Sequence, residues 1–316
     1  MNRVAAIGLA LAAGCASAPS PAPRLIDSYQ PRTREAQIAE VRAALERYRD
    51  IEVAKREGWK PFGDDGPLMG QHWHQQGGPH YVHGDTLDFS RPSNLMYTRI
   101  NGEMVLTGAA FAVRIGSHEP VPEGFAGDED RWHVHDMVAA VGAATEDRPF
   151  LGWLANWWLD ANYRSKGDQR GRLAMVHTWV TLPNPDGVFA DYNRLIPYLA
   201  LGLPASFADG ASEAAARGLA LATERGCERL LDGRLWIANA SRAQKRRLLQ
   251  SCESAARSLR PAFSAGKVAI NEAGERAWSE FDRVYQAELT PDQKRRIEAM
   301  TEHRSHPQPA SHPHRH

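Results

Sequence analysis

The residues of this sequence best suited to chemistry are its histidines, because neutral imidazole is a common metal ligand and a common acid–base group. Thirteen histidines occur in 316 residues, and eight of them lie between residues 59 and 204. In the segment Trp132–Asp136, His133 and His135 flank Val134. Residues two apart on a β-strand project from the same face. This His-x-His pair therefore predicts a ready chelate of two imidazoles.

Two other stretches predict further ligands. His72 follows Gly70 closely, and His177 lies among apolar neighbours in the candidate strand 172–182. If these stretches lie beside the His-x-His pair, four imidazoles converge. The predicted metal ligands are His72, His133, His135 and His177, with His74 and His83 in reserve. The second N–H of a ligating ring usually meets an oxygen, and the candidates for that role are Asp136, Asp191 and Asn193.

The donor set indicates a transition metal. Imidazoles, with or without a carboxylate, suit zinc, copper, nickel or iron, and we expect zinc or copper first. Thioether sulfur is a soft ligand that suits copper, so a copper site with methionine is an alternative. The same region holds five of the seven methionines: Met69, Met96, Met104, Met137 and Met175. The alternative is that the histidines are scattered over a surface, or bond to one another through backbone and water.

The elements that must position these residues predict an α+β fold. We expect a β-rich, histidine-containing domain at 61–204, preceded by one helix at 34–60 and followed by an antiparallel helical domain at 205–302. The segment 95–115 predicts a β-hairpin, because Asn101-Gly102 suits a tight turn that needs two positive φ angles. Residues 150–164 are ambiguous between a helix and a buried strand.

Capping-box spacing predicts two helix starts in the helical domain, at Ser241 with Gln244 and at Thr290 with Gln293. We expect helices near 209–229, 241–260, 270–288 and 291–302. Residues 303–316 hold the other five histidines and predict an unfolded tail, which would either gather divalent cations weakly or bind nothing.

The N-terminus predicts export. Residues 1–14 combine one cation with a short apolar run, as in a signal peptide. Small residues before Cys15 resemble the bacterial lipobox, which implies cleavage before Cys15 and acylation of its sulfur. Ala16 rather than Asp after that cysteine favours an outer-membrane anchor facing the periplasm. Ordinary cleavage near residues 16–18 is the alternative, and residues 15–33, with four prolines, predict a flexible tether.

Cysteine usage agrees with an exported protein. If Cys15 is lipidated, Cys227 and Cys252 are left as one candidate pair, and the periplasm permits a disulfide. Two unpaired buried thiols are the alternative.

Composition narrows the function classes. With 38 basic and 38 acidic residues the formal charge is zero, which argues against a nucleic-acid partner. A mean hydropathy of −0.49 argues against a protein with several membrane spans. We expect contact with the membrane only through the lipid.

A family resemblance covers residues 40–195. The motifs Met69-Gly70-Gln71-His72-Trp73 and Arg91-Pro92-Ser93-Asn94-Leu95-Met96-Tyr97, together with Arg131-Trp132-His133-Val134-His135, are similar to those of a group of exported bacterial His-rich proteins. Later, His177 is followed by Asn184-Pro185-Asp186-Gly187-Val188-Phe189-Ala190, as in that group. The resemblance favours one shared site for His72, His133, His135 and His177, and it implies no activity.

These observations leave three hypotheses of function. The first is a periplasm-facing lipoprotein that binds a transition metal for metal handling or resistance. The second is a metal-dependent enzyme, a hydrolase or oxygenase, with three histidines on the metal and one open position. The third is a structural or interaction lipoprotein without metal. The sequence names no substrate and no protein partner.

Overall fold

The computed structural model describes residues 33–75, 77–116, 119–136, 149–163, 172–299 and 301–303, and single positions at 142 and 145. The predicted signal peptide, Cys15, the tether up to residue 32 and tail residues 304–316 lie outside these ranges. The described residues, from Thr33 to His303, belong to one compact unit.

The described strands form one sheet. Its order is β1-β2-β4-β5-β7-β6-β8, with antiparallel neighbours throughout, and β3 pairs with β5 in parallel. The strand bounds are β1 Trp59–Gly66, β2 Gly70–Gln75, β3 Tyr81–Val82, β4 Asn94–Ile100, β5 Glu103–Ile115, β6 His133–Asp136, β7 Arg172–Thr178 and β8 Thr301–His303.

Helices lie before, within and after the strand sequence. Their bounds are α1 Arg34–Leu45, α2 Ile51–Arg56, α3 Pro149–Tyr163, α4 Leu195–Ala200, α5 Glu213–Leu221, α6 Gly226–Ile237, α7 Arg242–Ser258, α8 Lys267–Glu288 and α9 Pro291–Ala299. An antiparallel sheet with a helical C-terminal region confirms the α+β prediction. The described part of the ambiguous segment 150–164, residues 150–163, is helical.

The predicted hairpin is confirmed. Strands β4 and β5 are antiparallel neighbours from Asn94 to Ala110. Asn101 has φ of 51° and Gly102 has φ of 83°, the left-handed values that a type I′ turn requires.

The two faces of the sheet carry different side chains. One face is apolar, with Trp73, Leu95, Phe111 and Val176 in a core that also contains Val41 of α1. The other face, here called the histidine face, carries the imidazoles. A smaller apolar cluster lies on this face: Met96, Ala110, Leu173, Met175, Trp179 and Ile196. Since side chains alternate along each strand, the apolar core holds the sheet from behind while its opposite face presents polar groups.

The predicted single helix at 34–60 is wrong. Helix α1 ends at Leu45, a 3-10 turn covers Glu46–Arg49, and α2 is a separate helix. Asp50 is the reason for the break, because its extended backbone and its side chain, which accepts the N–H of Glu52 at 2.9 Å, form a new N-cap. The strand β1 already begins at Trp59.

The C-terminal helices pack around one core that contains a disulfide. Cys227 of α6 is bonded to Cys252 of α7, with Cα atoms 5.8 Å apart, which confirms the predicted pair. Helices α5 and α8 cross closely at Gly218 and Gly274. A Cβ at Gly218 would lie 1.8 Å from the Gly274 carbonyl oxygen, so this crossing requires glycine.

Both predicted capping boxes are present, and they contact each other. Ser241 and Gln244 exchange backbone and side-chain hydrogen bonds, as do Thr290 and Gln293. The Gln244 amide also donates to Gln293 Oε1 at 3.0 Å. The starts of α7 and α9 are therefore joined.

The end of the helical region differs from the prediction. Helix α9 ends at Ala299, and Thr301–His303 form β8 instead of a helix end and the start of a tail. The backbone register places His303 opposite His133. Pairing with a distant strand decides this segment, and local sequence carries no signal for it.

Candidate metal centre

Four histidines from three strands form a continuous cluster on the histidine face. The ring centroids of His72 and His177 are 5.1 Å apart, those of His177 and His133 are 4.8 Å apart, and those of His133 and His135 are 4.9 Å apart. The structure thus brings together all four residues that the sequence analysis selected as ligands. His72, His133 and His177 are buried, and His135 is half-buried.

Small residues on β5, one of the two intervening strands, leave room for the rings to meet. His72 belongs to β2 and His177 to β7, and β4 and β5 lie between them. On the histidine face, β5 presents Gly108, Ala110 and Ala112, and Ala110 is the register partner of His177. Because these residues fill little space, the imidazoles of β2 and β7 reach each other above β5.

His72 and His177 are joined at their Nε2 atoms, 3.1 Å apart. The Nδ1 atom of His177 lies 2.8 Å from the carbonyl oxygen of Asp191. A carbonyl oxygen only accepts, so Nδ1 of His177 carries the proton and its Nε2 carries a lone pair. In this neutral pair, His72 Nε2–H is therefore the donor and His177 Nε2 the acceptor, an assignment made from the hydrogen-bond pattern.

Burial keeps both imidazoles of the pair neutral. Removal from water, together with a smaller contribution from the nearby His133, lowers the pKa of His72 to about 4. Burial also holds the pKa of His177 well below its ordinary value, with additional lowering by His133 and His72. The charged form is disfavoured because a buried cation loses its hydration.

Asp191 contacts two rings of the cluster in different ways. Its carbonyl oxygen accepts from His177, and its Oδ1 lies 3.4 Å from Nδ1 of His133. The sequence analysis selected Asp191 as an oxygen partner of a ligating ring. Its main-chain carbonyl makes such a contact with His177 and fixes the orientation of that ring.

The His-x-His geometry of β6 is confirmed. His133 and His135 lie on one face with their ring planes 88° apart, while Val134 belongs to the apolar core on the other side. Within the ranges that the structure describes, no group of three or more His, Cys, Asp or Glu side chains is already arranged to hold a metal ion. The cluster consists of the close Nε2 pair of His72 and His177 and the adjoining rings of His133 and His135.

The reserve ligands lie outside the cluster. His74 is on the histidine face, but its ring packs 5.2 Å from that of Phe62. The Nδ1 atom of His83 lies 3.8 Å from Glu119 Oε1. His118, another histidine of this region, is outside the described residues.

Two predicted oxygen partners, Asn193 and Asp136, contact other groups. Asn193 is fully buried, donates to the Pro183 carbonyl at 3.0 Å and accepts from the N–H of Leu195 at 3.0 Å. These two hydrogen bonds shape the turn into α4. Asp136 Oδ2 lies 4.0 Å from Arg172 Nε, across the β6–β7 pair.

A pocket adjoins the cluster, and the sequence analysis did not anticipate it. Its volume is about 160 Å³, and its walls include His74, Asn94, Ala112, Arg114 and Met175. His74 is two residues from His72, and Met175 is two residues from His177 and opposite His133 in register. The same sheet face therefore forms one wall of the pocket and carries the imidazoles.

No known family model matches the chain, and no curated protein or solved structure is significantly similar to it. None of the helices in the described part of the chain combines the length and apolar character needed to cross a bilayer.

Proposed function

We propose that this protein is a periplasm-facing, lipid-anchored protein that binds one transition metal ion through His72, His177, His133 and His135. Zinc and copper are the expected metals. The observation that carries the proposal is the separation of 3.1 Å between the Nε2 atoms of His72 and His177. Both rings are buried, and two further rings adjoin them.

This separation is suited to a shared cation. Two nitrogens bound to one tetrahedral zinc lie about 3.3 Å apart, as follows from Zn–N bonds of about 2.0–2.1 Å. A cation between the rings requires the His72 proton to move from Nε2 to Nδ1, so that two lone pairs face inward. His133, whose ring centroid is 4.8 Å from that of His177, is the adjoining candidate for a third nitrogen.

The protonation state of the pair supports metal binding. Metal ions compete with protons for imidazole nitrogens. Because burial lowers the pKa of His72 to about 4, proton competition at this ring is weak above about pH 5. The Asp191 carbonyl holds the His177 ring in the tautomer that presents Nε2.

The disulfide supports the proposed location. Cys227 and Cys252 are buried and bonded, and such structural disulfides persist in oxidising compartments such as the periplasm. With these two thiols paired, Cys15 is the remaining cysteine of the sequence, as lipidation there requires. The resemblance to exported His-rich proteins is part of the same proposal.

The test of metal binding is elemental analysis of the full chain purified from a periplasm. To separate the cluster from the tail, a parallel chain carries asparagine at His306, His312, His314 and His316. We expect one zinc or copper ion per chain in both proteins, because the buried imidazoles hold it. In either chain, His133→Ala with His135→Ala should abolish stoichiometric metal.

The matched control removes two histidines outside the cluster, His74→Ala with His83→Ala, and should leave the metal content unchanged. Circular dichroism of each variant verifies folding. Unchanged metal in the His133/His135 variant, or equal loss in the control, would overturn the proposed site.

The anchor is tested separately. Cells supplied with radiolabelled palmitate should label the wild-type chain and leave Cys15→Ser unlabelled. Equal labelling of the two chains, or no label in the wild type, would contradict lipidation at Cys15.

A metal-dependent hydrolase or oxygenase is the second candidate, and the pocket beside the cluster favours it. A closed four-nitrogen coordination sphere indicates storage or transport, whereas three histidines and one exchangeable water indicate catalysis. X-ray absorption spectroscopy of the loaded protein, which counts nitrogen and oxygen ligands, distinguishes the two.

A further inference from the structure

Helix α3 carries an exposed apolar surface. Phe150, Trp153 and Trp157 expose 70%, 63% and 60% of their area, and Leu154 and Leu151 are also exposed. Within the described part of the chain, eight large apolar side chains are exposed, and these five of them belong to this one helix. Single exposed apolar residues are ordinary, whereas a contiguous group of them marks an interaction surface.

Four of these side chains share one side of α3. This surface, here called the aromatic stripe, consists of Phe150, Trp153, Leu154 and Trp157. Their spacing of i, i+3, i+4 and i+7 places them along one side of a helix, and the rings of Phe150 and Trp153 stack with centroids 6.0 Å apart. Gly152 lies on the opposite side and is buried, and a Cβ there would lie 2.8 Å from Thr145 Oγ1. The helix therefore packs on the protein through its glycine side and presents the aromatic stripe to solvent.

We propose that the aromatic stripe docks on the surface of a phospholipid bilayer. Aromatic side chains favour the boundary between headgroups and acyl chains, because their rings are apolar and an indole also donates a hydrogen bond. No charged residue occurs from 149 to 159, so this stretch can enter the boundary without removing a charge from water. The 15 residues of α3 are about 22 Å long, which is less than the hydrocarbon thickness of about 30 Å. The helix would therefore lie along the surface.

The surrounding sequence favours a bilayer over a protein as the occupant. Arg164 and Lys166 follow α3 closely, and cations beside an interfacial helix are attracted to anionic headgroups. Between Cys15 and Thr33 the chain has 17 residues, which span at most about 60 Å when extended. A tether of this length selects no orientation by itself, and the aromatic stripe would select one. That a bilayer is close rests on the proposed anchor, while the affinity of the stripe for lipid does not.

The experiment measures tryptophan fluorescence of the full chain in vesicles of phosphatidylethanolamine and phosphatidylglycerol that carry bromine on their acyl chains. Bromine quenches an indole at close range, so the signal reports contact with lipid. Residues 1–58 contain no tryptophan, so the measurement does not detect contacts of the signal peptide. The wild type should lose about a fifth of its emission or more, since Trp153 and Trp157 are two of the nine tryptophans.

Two variants of the stripe test where the quenching comes from. Phe150→Ser with Leu154→Ser keeps all nine tryptophans and should lower the quenched fraction by about half or more, because the stripe loses apolar area. Trp153→Phe with Trp157→Phe keeps the stripe apolar but removes two indoles, and should remove most of the quenching while the protein still sediments with the vesicles.

The matched control is Phe263→Ser with Val268→Ser, which removes two exposed apolar side chains of the helical region. It should leave the quenched fraction unchanged. Circular dichroism verifies that each variant is folded, which we expect because the substituted side chains are exposed. If one stripe variant does not fold, the other still decides the question.

The proposal is overturned by an unquenched wild type, or by equal quenching of the wild type and the Phe150/Leu154 variant. A second copy of the chain is the other occupant to be tested. A dimer of the Cys15→Ser chain in sedimentation velocity that dissociates on Phe150→Ser with Leu154→Ser, without quenching by brominated lipid, would assign the stripe to that copy and refute bilayer docking.

Addition of the Cys15→Ser chain to the same vesicles separates this proposal from the anchor. Quenching of that chain, together with a wild type that takes up no palmitate, would refute the anchor and keep the docking surface. Palmitate labelling of a wild type that shows no quenching would keep the anchor and refute the docking surface.

Discussion

Acid should destabilise the metal-free protein through His72, and one substitution should remove that effect. The folded-state pKa of His72 is about 4, against an ordinary value of 6.5. Above pH 6.5 the ring is neutral in both states, so its contribution to stability is complete. Below that value the His72 ring binds a proton in the unfolded chain but stays neutral in the folded chain. The free energy of unfolding therefore decreases until the pH reaches about 4.

The size of the effect follows from the gap between the two pKa values. At about 1.4 kcal/mol for each pKa unit, the difference between 6.5 and about 4 corresponds to about 3 kcal/mol. His177, whose pKa is lowered by the same burial, adds a loss of the same sign. Small proteins have free energies of unfolding of about 5–15 kcal/mol. The decrease in this quantity between pH 6.5 and about 4 should therefore be easy to measure.

The assay is urea unfolding of the full chain with a chelator at a series of pH values from about 7 to about 4. His72→Leu has no ring to protonate and should lose about 3 kcal/mol less than the wild type over this range. Met96→Leu is the matched control. Met96 is the buried register partner of His72 on the same face and does not titrate, so its curve should run parallel to that of the wild type.

Parallel curves for His72→Leu and the wild type would refute the reasoning, because they would mean that the imidazole is hydrated in the folded state. A smaller loss in Met96→Leu would equally refute it, since the effect would then come from altered packing and not from a proton.

Three further predictions concern the helical region. Cys227→Ala with Cys252→Ala opens a loop of 25 residues and should lower the free energy of unfolding by about 3 kcal/mol, and a midpoint in urea equal to that of the wild type would contradict it. Gly218→Ala places a methyl group against the Gly274 carbonyl and should lower the thermal midpoint by several degrees, the effect of about 1–3 kcal/mol of overpacking. An unchanged thermal midpoint would show that α5 and α8 can move apart without loss of stability. Gln244→Ala removes one capping box and its hydrogen bond to the other. It should lower the free energy of unfolding, measured in urea, by about 1 kcal/mol. An unchanged free energy of unfolding would show that this cap does not stabilise the protein.

Local chemistry made the hairpin, the capping boxes and the common face of His133 and His135 on β6 predictable. Asn101-Gly102 adopts the positive φ angles that its composition favours, and the spacing of His133 and His135 fixes their common face on any strand. The disulfide followed from cysteine number and the inferred compartment. Each of these depends on a few neighbouring residues or on a simple count.

Features that depend on distant residues were not predictable in the same way. Asp50 lies inside an apolar periodicity that reads as continuous helix, and only the actual backbone shows that it caps a second helix. β8 is three residues long and exists through its pairing with β6. The Asp191 carbonyl contact and the pocket at Ala112 depend on how β7, β5 and the following loop are placed, which sequence periodicity does not specify.

The C-terminal strand has a consequence for any shortened form of this protein. β8 covers the outer side of β6, whose backbone would otherwise form an open rim of the sheet. An uncovered strand presents unpaired N–H and C=O groups on which another molecule can add its own strand. Ending the chain before Thr301 would therefore expose an unpaired strand edge next to His133 and His135. We expect the shortened protein to self-associate, because it lacks the three residues of β8.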